Sequence, residues 1–306
     1  MANPKTWFVI INPTSGNGLS KRKWPEIQNL LRNYLFNFEF SFTQHANHSS
    51  EIVQYAIKKG FRNFICIGGD GTLHNMLNGI MLQKSITTTD IHVGVIPIGT
   101  GNDWVKTHHI STDFKKAIQT IKKGNITQQD VGKLEVLNKA KKPVYFINLA
   151  GIGFDGYIVS KVNKYKKFGA LAYLIGALWG LFSFKNFCSK VIINSKVIEN
   201  KSLMIIIGIG KYAGGGMQLT QASSPFDGLF DVSIVKNISK ADIIKNISKL
   251  FNGKLTSHEK VESFKTDSIY IEVLDNTKPF IETDGEIIGT GNIHISIIKN
   301  AFSFYC

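Results

Sequence analysis

Residues 65–72 read Ile65-Cys66-Ile67-Gly68-Gly69-Asp70-Gly71-Thr72, and the fold follows from them. An apolar run entered from Phe64 predicts a short buried strand, and the glycines after it enclose one carboxylate. Without a Cβ, backbone N–H groups can approach a ligand closely and φ can turn positive. Over residues 72–82, Leu73, Met76, Leu77 and Ile80 share one helical face, so Gly69, Asp70, Gly71, Thr72 and Leu73 are expected at a helix N-terminus. Free N–H groups and the macrodipole favour phosphate there. Asp70 has the wrong sign for a bare anion and is expected to act through a metal ion or the phosphoryl group in transfer. A strand–helix turn capped by Asp70 would account for the same residues without chemistry.

Outward from this stretch, residues 7–11 form a second continuous apolar run, a buried strand. It ends in Asn12-Pro13-Thr14-Ser15-Gly16-Asn17-Gly18 and leads to a helix over residues 21–34 with Trp24-Pro25 in its first turn. This strand, polar glycine loop and helix lack a P-loop lysine and dinucleotide spacing, so alone they are weak evidence. Residues 38–43 alternate as a strand. Ser49 or Ser50 can cap a helix carrying Ile52, Val53, Ala56 and Ile57 and closed by Gly60. Residues 91–96 are a further strand, followed by Pro97-Ile98-Gly99-Thr100-Gly101-Asn102-Asp103, then a helix over 113–122 ending at Gly124. Alternating strands and helices predict a doubly wound, Rossmann-like parallel sheet, with ligands beyond the carboxyl ends of its strands. Three glycine loops should converge on that edge.

After Asp130 the pattern changes to short apolar or alternating runs at 131–137, 144–149, 191–193, 203–209, 230–235, 268–273 and 279–281, which predicts a mostly antiparallel β domain. The expected division is an α/β domain over 1–130, completed by 294–306, and a β-sandwich domain over 131–293. A chain of 306 residues exceeds the usual single-core size, and 43% hydrophobic residues exclude disorder. With 36 basic against 22 acidic residues the net charge of +14 favours anionic partners, although no nucleic-acid recognition motif is present. Cys66, Cys188 and Cys306 have neither metal-ligand spacing nor an even count, as suits a reducing cytosol. The opening M-A-N-P-K-T-W has no signal-peptide pattern.

Thr283-Asp284-Gly285-Glu286 sets two carboxylates about a glycine. Taken alone, Asp284-Gly285 reads as the centre of a β-turn; if the segment is extended, Asp284 and Glu286 share a face. Gly208 to Gly216, rich in glycine, reads as a flexible loop, and His74, His108 and His109 lack partners at ligand spacing. Lysines 164, 166 and 167 precede the apolar stretch 168–184, with Lys185 after it. The stretch is short of the ~20 residues of a spanning helix; it could lie at a membrane interface or line an acyl pocket, or be a buried helix.

Together these motifs resemble the diacylglycerol kinase catalytic family in its bacterial, soluble form. Sphingosine kinases, NAD kinases and phosphofructokinases are more distantly similar. The resemblance rests on N-P-T-S-G at 12–16, G-G-D-G-T at 68–72, P-I-G-T-G-N-D at 97–103, F-D-G-L-F-D at 226–231 and D-G-E at 284–286. It implies ATP- and Mg²⁺-dependent phosphorylation of a lipid hydroxyl, in a cleft between an NAD kinase/phosphofructokinase-like α/β domain and a β-sandwich. Nucleotide-contacting positions then fall on Asn12, Pro13, Thr14, Ser15, Gly16, Thr43, Gly68, Gly69, Asp70, Gly71, Thr72, Leu73, His74, Thr100, Gly101, Asn102 and Asp103. Asp70 and Asp103 would face the phosphates or the metal. A structural metal ion falls on Ser224, Asp227 and Leu229, with Asp130 linked to its network, and the general base on Asp284 or Glu286. The chain departs from the family pattern at Phe226, where an aspartate is usual, and at Gln221 and Ser223, where proline and alanine are usual. The resemblance implies a cytoplasmic enzyme in transient, peripheral contact with its lipid substrate at a membrane surface; a homodimer is compatible with the sequence. A kinase of a soluble substrate, or a nucleotide- or lipid-binding regulator without turnover, are the competing readings.

Overall fold

The computed structural model describes residues 5–162, 183–239, 242, 249 and 252–306. The lysine cluster at 164–167 and residues 168–182 of the apolar stretch lie outside the described residues. Two compact units are present, unit 1 of residues 1–129 with 300–306 and unit 2 of residues 130–299.

Unit 1 follows β1 (Thr6–Ile11), α1 (Ser15–Asn33), β2 (Asn37–Phe42), α2 (His48–Lys58), β3 (Asn63–Gly68), α3 (Asp70–Leu82), β4 (His92–Pro97), α4 (Asp103–Thr107) and α5 (Phe114–Lys123). The chain leaves within β5 (Ile126–Val136) and returns in β15 (Ile293–Tyr305), whose end pairs with β4. The strand order β2-β1-β3-β4-β15 is parallel throughout. Its strands are apolar on both faces because helices cover both: β1 and β3 are buried over five consecutive residues each. The core joins Val9, Ile11, Ile65, Ile67 and Ile96 to Trp24, Ile27 and Leu31 of α1 and Ile118 of α5. A 2-1-3-4-5 order reverses direction between β1 and β3, and ligands bind at that switch point. The loops that follow β1 and β3 are residues 12–16 and 68–72.

Two local details differ from the sequence expectations. Gly16, Asn17 and Gly18 take left-handed backbone conformations that kink the start of α1, and Pro25 lies inside the helix and not in its first turn. Pro25 has no N–H to donate and stands on an exposed face of the helix. Helix α2 is entered through Asn47 in the left-handed region, with no side-chain cap from Ser49 or Ser50. Helix α5 ends at Gly124, as expected, at φ 82°, and the structure adds an N-cap: Asp113 accepts the Lys116 N–H at 2.8 Å.

Unit 2 contains β6 (Val144–Phe146), β7 (Leu149–Gly153), α6 (Phe154–Val162), β8 (Phe187–Ile193), β9 (Lys196–Gly208), β10 (Phe230–Lys236), β11 (Val261–Thr266), β12 (Ser268–Val273), β13 (Phe280–Thr283) and β14 (Glu286–Thr290). Its pairings are antiparallel, in the order β14-β13-β7-β9-β8-β12-β15, with β10 between β9 and β11. Alternate residues Ile205, Ile207, Val232, Ile234, Ile269 and Ile271 enter one core with Phe187 and Phe230, the period-2 pattern of half-buried strands. The glycine run after β9 is a tight hairpin closed by Ala213 and Met217, with Gly214, Gly215 and Gly216 all at positive φ. Among the described residues no helix is long and apolar enough to cross a membrane.

Candidate active site

In unit 1 the three glycine loops are joined by hydrogen bonds. The Asn12 N–H donates to the Ile67 carbonyl at 3.0 Å, and Asn12 Nδ2 donates to Thr72 Oγ1 at 3.1 Å. Asn12 thus spans the switch point between β1 and β3. Its Oδ1 accepts the Thr14 N–H at 3.1 Å and the Thr14 hydroxyl at 2.8 Å, and Ser20 Oγ bonds its carbonyl. Thr43, just past β2, donates its N–H to Ile11 O at 2.8 Å. Pro13, Ser15 and Gly16 complete the turn into α1.

The β3–α3 and β4–α4 loops are packed backbone to backbone. Gly68 O accepts the Ile98 N–H at 2.8 Å, and a Cβ on Gly99 would fall 2.8 Å from Gly69 Cα. Only glycine at both positions permits this approach. Asp70 then reaches across: its Oδ2 accepts the Asp103 N–H and its Oδ1 the Trp104 N–H, both at 3.1 Å. The capping role available to Asp70 is therefore exercised on α4, while Gly69 occupies the N-cap of α3. Gly101 lies against both carboxylates, since a Cβ there would meet Asp70 Oδ2 at 3.1 Å and Asp103 Oδ2 at 3.4 Å. Lys106 Nζ pairs with Asp103 Oδ1 at 3.3 Å. Thr100 is exposed at the loop tip, whereas Thr72, Leu73 and His74 are buried on α3, where Asn78 Nδ2 bonds the His74 carbonyl at 2.9 Å.

Helix α4 is held from behind by Trp104, whose Nε1 donates to Gln129 Oε1 at 2.8 Å and whose ring lies 4.9 Å from Phe304. His108 packs 4.5 Å from both Trp104 and Phe304. Burial, reinforced by His109 and opposed by a Gln129 hydrogen bond, pushes His108 down to about 4. Burial likewise pushes the Cys66 thiol beneath this loop far up, with Asp70 adding to it.

A nucleotide's phosphates and a divalent cation at these loops would meet two carboxylates and one amide oxygen. Asn102 Oδ1 is buried with no hydrogen-bond partner, and a backbone cradle at Gly101 is flanked by two carboxylates. Asp70 and Asp103 are the groups that would hold the cation.

In unit 2 the D-G-E segment is a tight turn, not an extended strand. Asp284 and Gly285, at φ 48° and 81°, form a two-residue loop between Thr283 and Glu286, which pair across β13 and β14. Successive positive φ values match the twist of a hairpin and favour Asp-Gly. The Asp284 carboxylate is turned back onto the backbone. Its Oδ1 accepts Asn148 N–H at 2.9 Å and Leu149 N–H at 3.1 Å, and its Oδ2 accepts Ile147 N–H at 3.1 Å. Asp284 is engaged as a structural anchor, and Glu286, half-buried at the start of β14, is the other carboxylate of the motif.

Beneath the turn lies a pair of carboxyl groups the sequence reading missed. Glu282 Oε2 accepts the Gly285 N–H at 2.8 Å. Its Oε1 and Asp155 Oδ2 both face Gly151, where a Cβ would meet them at 3.2 and 2.6 Å. Both residues are buried. Burial first, then the Asp155 charge, raises Glu282 well above the usual carboxylate range. The strand expected at 279–281 stops short of Glu282, and nothing in the sequence signals that Asp155, more than a hundred residues away, would meet it.

The remaining acidic residues gather at the loop before β10. Asp130 Oδ2 accepts the Gly228 N–H at 2.7 Å, Leu229 donates its N–H to Asp227 Oδ1 at 3.1 Å, and Ser224 Oγ accepts the Phe226 N–H at 3.4 Å. Lys265, which no motif marked, reaches this loop from β11.

Residues 6–134 match the family model described as diacylglycerol kinase catalytic domain, and residues 148–306 match that of the YegS C-terminal NAD kinase beta sandwich-like domain. The diacylglycerol kinase of Staphylococcus saprophyticus is 28% identical over 283 residues, covering 92% of this chain and 88% of that protein. That of Staphylococcus carnosus is 29% identical with the same coverage. A crystal structure of a diacylglycerol kinase from Bacillus anthracis matches with a TM-score of 0.74 at 22% identity, covering 100% of this chain and 98% of that one. By its two matched domains and the loops that carry its motifs, this chain belongs to the diacylglycerol kinase catalytic-domain family, a lipid kinase family.

Proposed function

We propose that the protein is an ATP-dependent lipid kinase that transfers the γ-phosphate to the hydroxyl of diacylglycerol or a related lipid, giving a phosphatidic-acid-type product. The observation that carries this reading is the hydrogen-bonded junction of the three glycine loops at the switch point of unit 1, held by Asn12 and Asp70. The names of the relatives favour a lipid acceptor over a soluble one.

Phosphoryl transfer depends on positioning and charge neutralisation more than on covalent participation by the protein. The glycine loops at residues 12–16, 68–74 and 100–103 bind and orient the phosphates of ATP, through the backbone N–H groups that the contacts between the loops leave open. Asp70 and Asp103 would hold Mg²⁺, which supplies neutralisation of the phosphate oxygens. Asp284, occupied by three backbone N–H groups, positions the turn. Glu286 takes the proton of the acceptor hydroxyl as its oxygen bonds to the γ-phosphorus and the bond to the β-phosphate oxygen breaks. Such a base contributes typically ~10²–10⁴-fold. The net charge of +14 suits transient attraction to an anionic bilayer, where the lipid resides.

The test is transfer of labelled γ-phosphate from ATP with Mg²⁺ to diacylglycerol in mixed vesicles, to NAD in solution, and to a total lipid extract with the product identified. Labelled phosphatidic acid supports the proposal. Labelled NADP would replace it with a soluble-substrate kinase, and nucleotide binding without any product would replace it with a regulator.

A further inference from the structure

The family resemblance puts a structural metal ion at Ser224, Asp227 and Leu229, and the residues present do not fit one. Lys265 on β11 stands directly opposite Asp231 on β10 in the antiparallel register. Its ammonium lies 2.9 Å from Asp227 Oδ2 and 3.3 Å from Asp231 Oδ2, and donates to the Ala222 carbonyl at 3.5 Å. The contact to Asp231 is an ion pair and not an aligned hydrogen bond, because Asp231 Oδ2 has no hydrogen-bond partner; Lys265 is its counter-charge. The second oxygens are also engaged, Asp227 Oδ1 by the Leu229 N–H and Asp231 Oδ1 by the Ala222 N–H at 3.3 Å.

Two further observations point the same way. Where the family pattern has another aspartate, Phe226 is exposed. A second lysine covers the turn, since a Cβ on Gly228 would lie 2.8 Å from Lys299 Nζ. A divalent cation brought to Asp227 would meet an ammonium already within ion-pairing distance, and like charges at that range repel.

We propose that the Lys265 ammonium takes the place of the family's structural metal ion, tying the loop before β10 to β11 as a built-in cation. One lysine supplies positive charge to two carboxylates and donates to one of them and to a carbonyl, so this loop holds its shape without a divalent ion. Any divalent requirement of the protein then belongs to its nucleotide loops alone.

The test uses the full chain without nucleotide and reads thermal midpoint and metal content, not turnover, so its outcome is independent of the acceptor assignment. Wild type is expected to refold in chelator and to carry no divalent ion at the loop. Lys265→Ala is expected to melt several degrees lower in chelator and to recover part of that loss with millimolar Mg²⁺, Mn²⁺ or Ca²⁺. In Lys265→Ala/Asp227→Asn the recovery should vanish. A wild-type chain that retains one divalent ion, lost in Asp227→Asn, overturns the proposal, as does a folded Lys265→Ala without any cation response. If Lys265→Ala does not fold, the elemental analysis of wild type and Asp227→Asn decides between the same two outcomes.

Discussion

The carboxylate of Asp70 accepts the backbone N–H of Trp104 at 3.1 Å, so the acidic residue of one glycine loop caps the helix that follows another. With its second oxygen on the Asp103 N–H, Asp70 fixes the relative position of both loops. Charge toward a cation and shape of the loop therefore depend on one side chain, and two substitutions separate them. Asp70→Ala leaves two donors unmatched and is expected to cost about 1–3 kcal/mol. Asp70→Asn keeps one accepting oxygen and should cost about 1 kcal/mol. If the charge holds Mg²⁺, kcat falls at least as far in Asp70→Asn as its stability loss cannot explain, by about 10² or more. Urea unfolding and steady-state kinetics on both variants check this; an Asp70→Asn enzyme near wild-type kcat would reduce Asp70 to a cap.

The two carboxylates of the D-G-E turn should separate in the opposite sense. Asp284→Asn places an NH₂ against N–H groups of residues 147–149, turning an acceptor into a donor; the expected loss is about 1–3 kcal/mol of stability. Glu286→Gln, half-buried, should change stability by no more than about 1 kcal/mol while lowering kcat by about 10²–10⁴. Denaturant melts beside phosphoryl-transfer rates distinguish the two residues, and a stable, inactive Asp284→Asn with an active Glu286→Gln would exchange their roles.

Glu282 offers a test by pH. Its carboxyl is raised by burial and by Asp155, with Asp284 adding negative charge nearby and the Gly285 N–H opposing. A raised folded-state pKa means the folded chain binds the extra proton. Its contribution is thus complete below the unfolded value near 4.5 and is lost as pH rises toward the folded value. Glutamine imitates the protonated form, giving an N–H to Asp155 and an oxygen to Gly285. Glu282→Gln should match wild type near pH 5 and exceed it in stability at pH 8, a difference read from urea unfolding at the two pH values. Equal slopes with pH would show that the pair shares no proton.

What was legible in the sequence follows the range of the forces involved. The α/β class, with an antiparallel second part, could be read because β1, β3 and β4 are short apolar runs ending in glycine loops, and period and turn chemistry are local. The strand expected at 64–67 is Asn63–Gly68, and that at 91–96 is His92–Pro97. Helices α4 and α6 escaped notice: the first is five residues held by Asp70 and Trp104, and the second contains Gly156 against the Phe280 backbone. Strand β11 alternates exposed and buried positions with charged residues, so its apolar signal is thin. Within the site, the glycine loops and their acidic residues were visible as motifs. The side chains that complete them, Glu282 on Asp155 and Lys265 on Asp227, are tertiary pairs far apart in sequence, and no local pattern announces such a pair.

The last prediction concerns His108, which packs behind the β4–α4 loop. Packed at 4.5 Å against both Trp104 and Phe304, its imidazole is pushed down to about 4, mainly by burial. In the unfolded chain it would take up a proton near pH 6.5. Between these values the unfolded state binds the extra proton, so stability should rise with pH across this window and fall as the solution is acidified from about 6.5 to about 4. The full effect is at most about 3 kcal/mol. His108→Phe removes the titration and adds only a constant offset, including the loss of the Gln129 interaction. Unfolding measured at pH 5 and pH 7.5 should therefore show a smaller difference for the variant than for wild type. Because the Trp104 ring packs against His108 and the Trp104 backbone N–H is held by Asp70, charging the imidazole is expected to strain α4 beside the β4–α4 loop. Nucleotide affinity should weaken over the same pH range in wild type and less in His108→Phe. A variant whose stability and affinity track wild type at both pH values would place the acid sensitivity elsewhere.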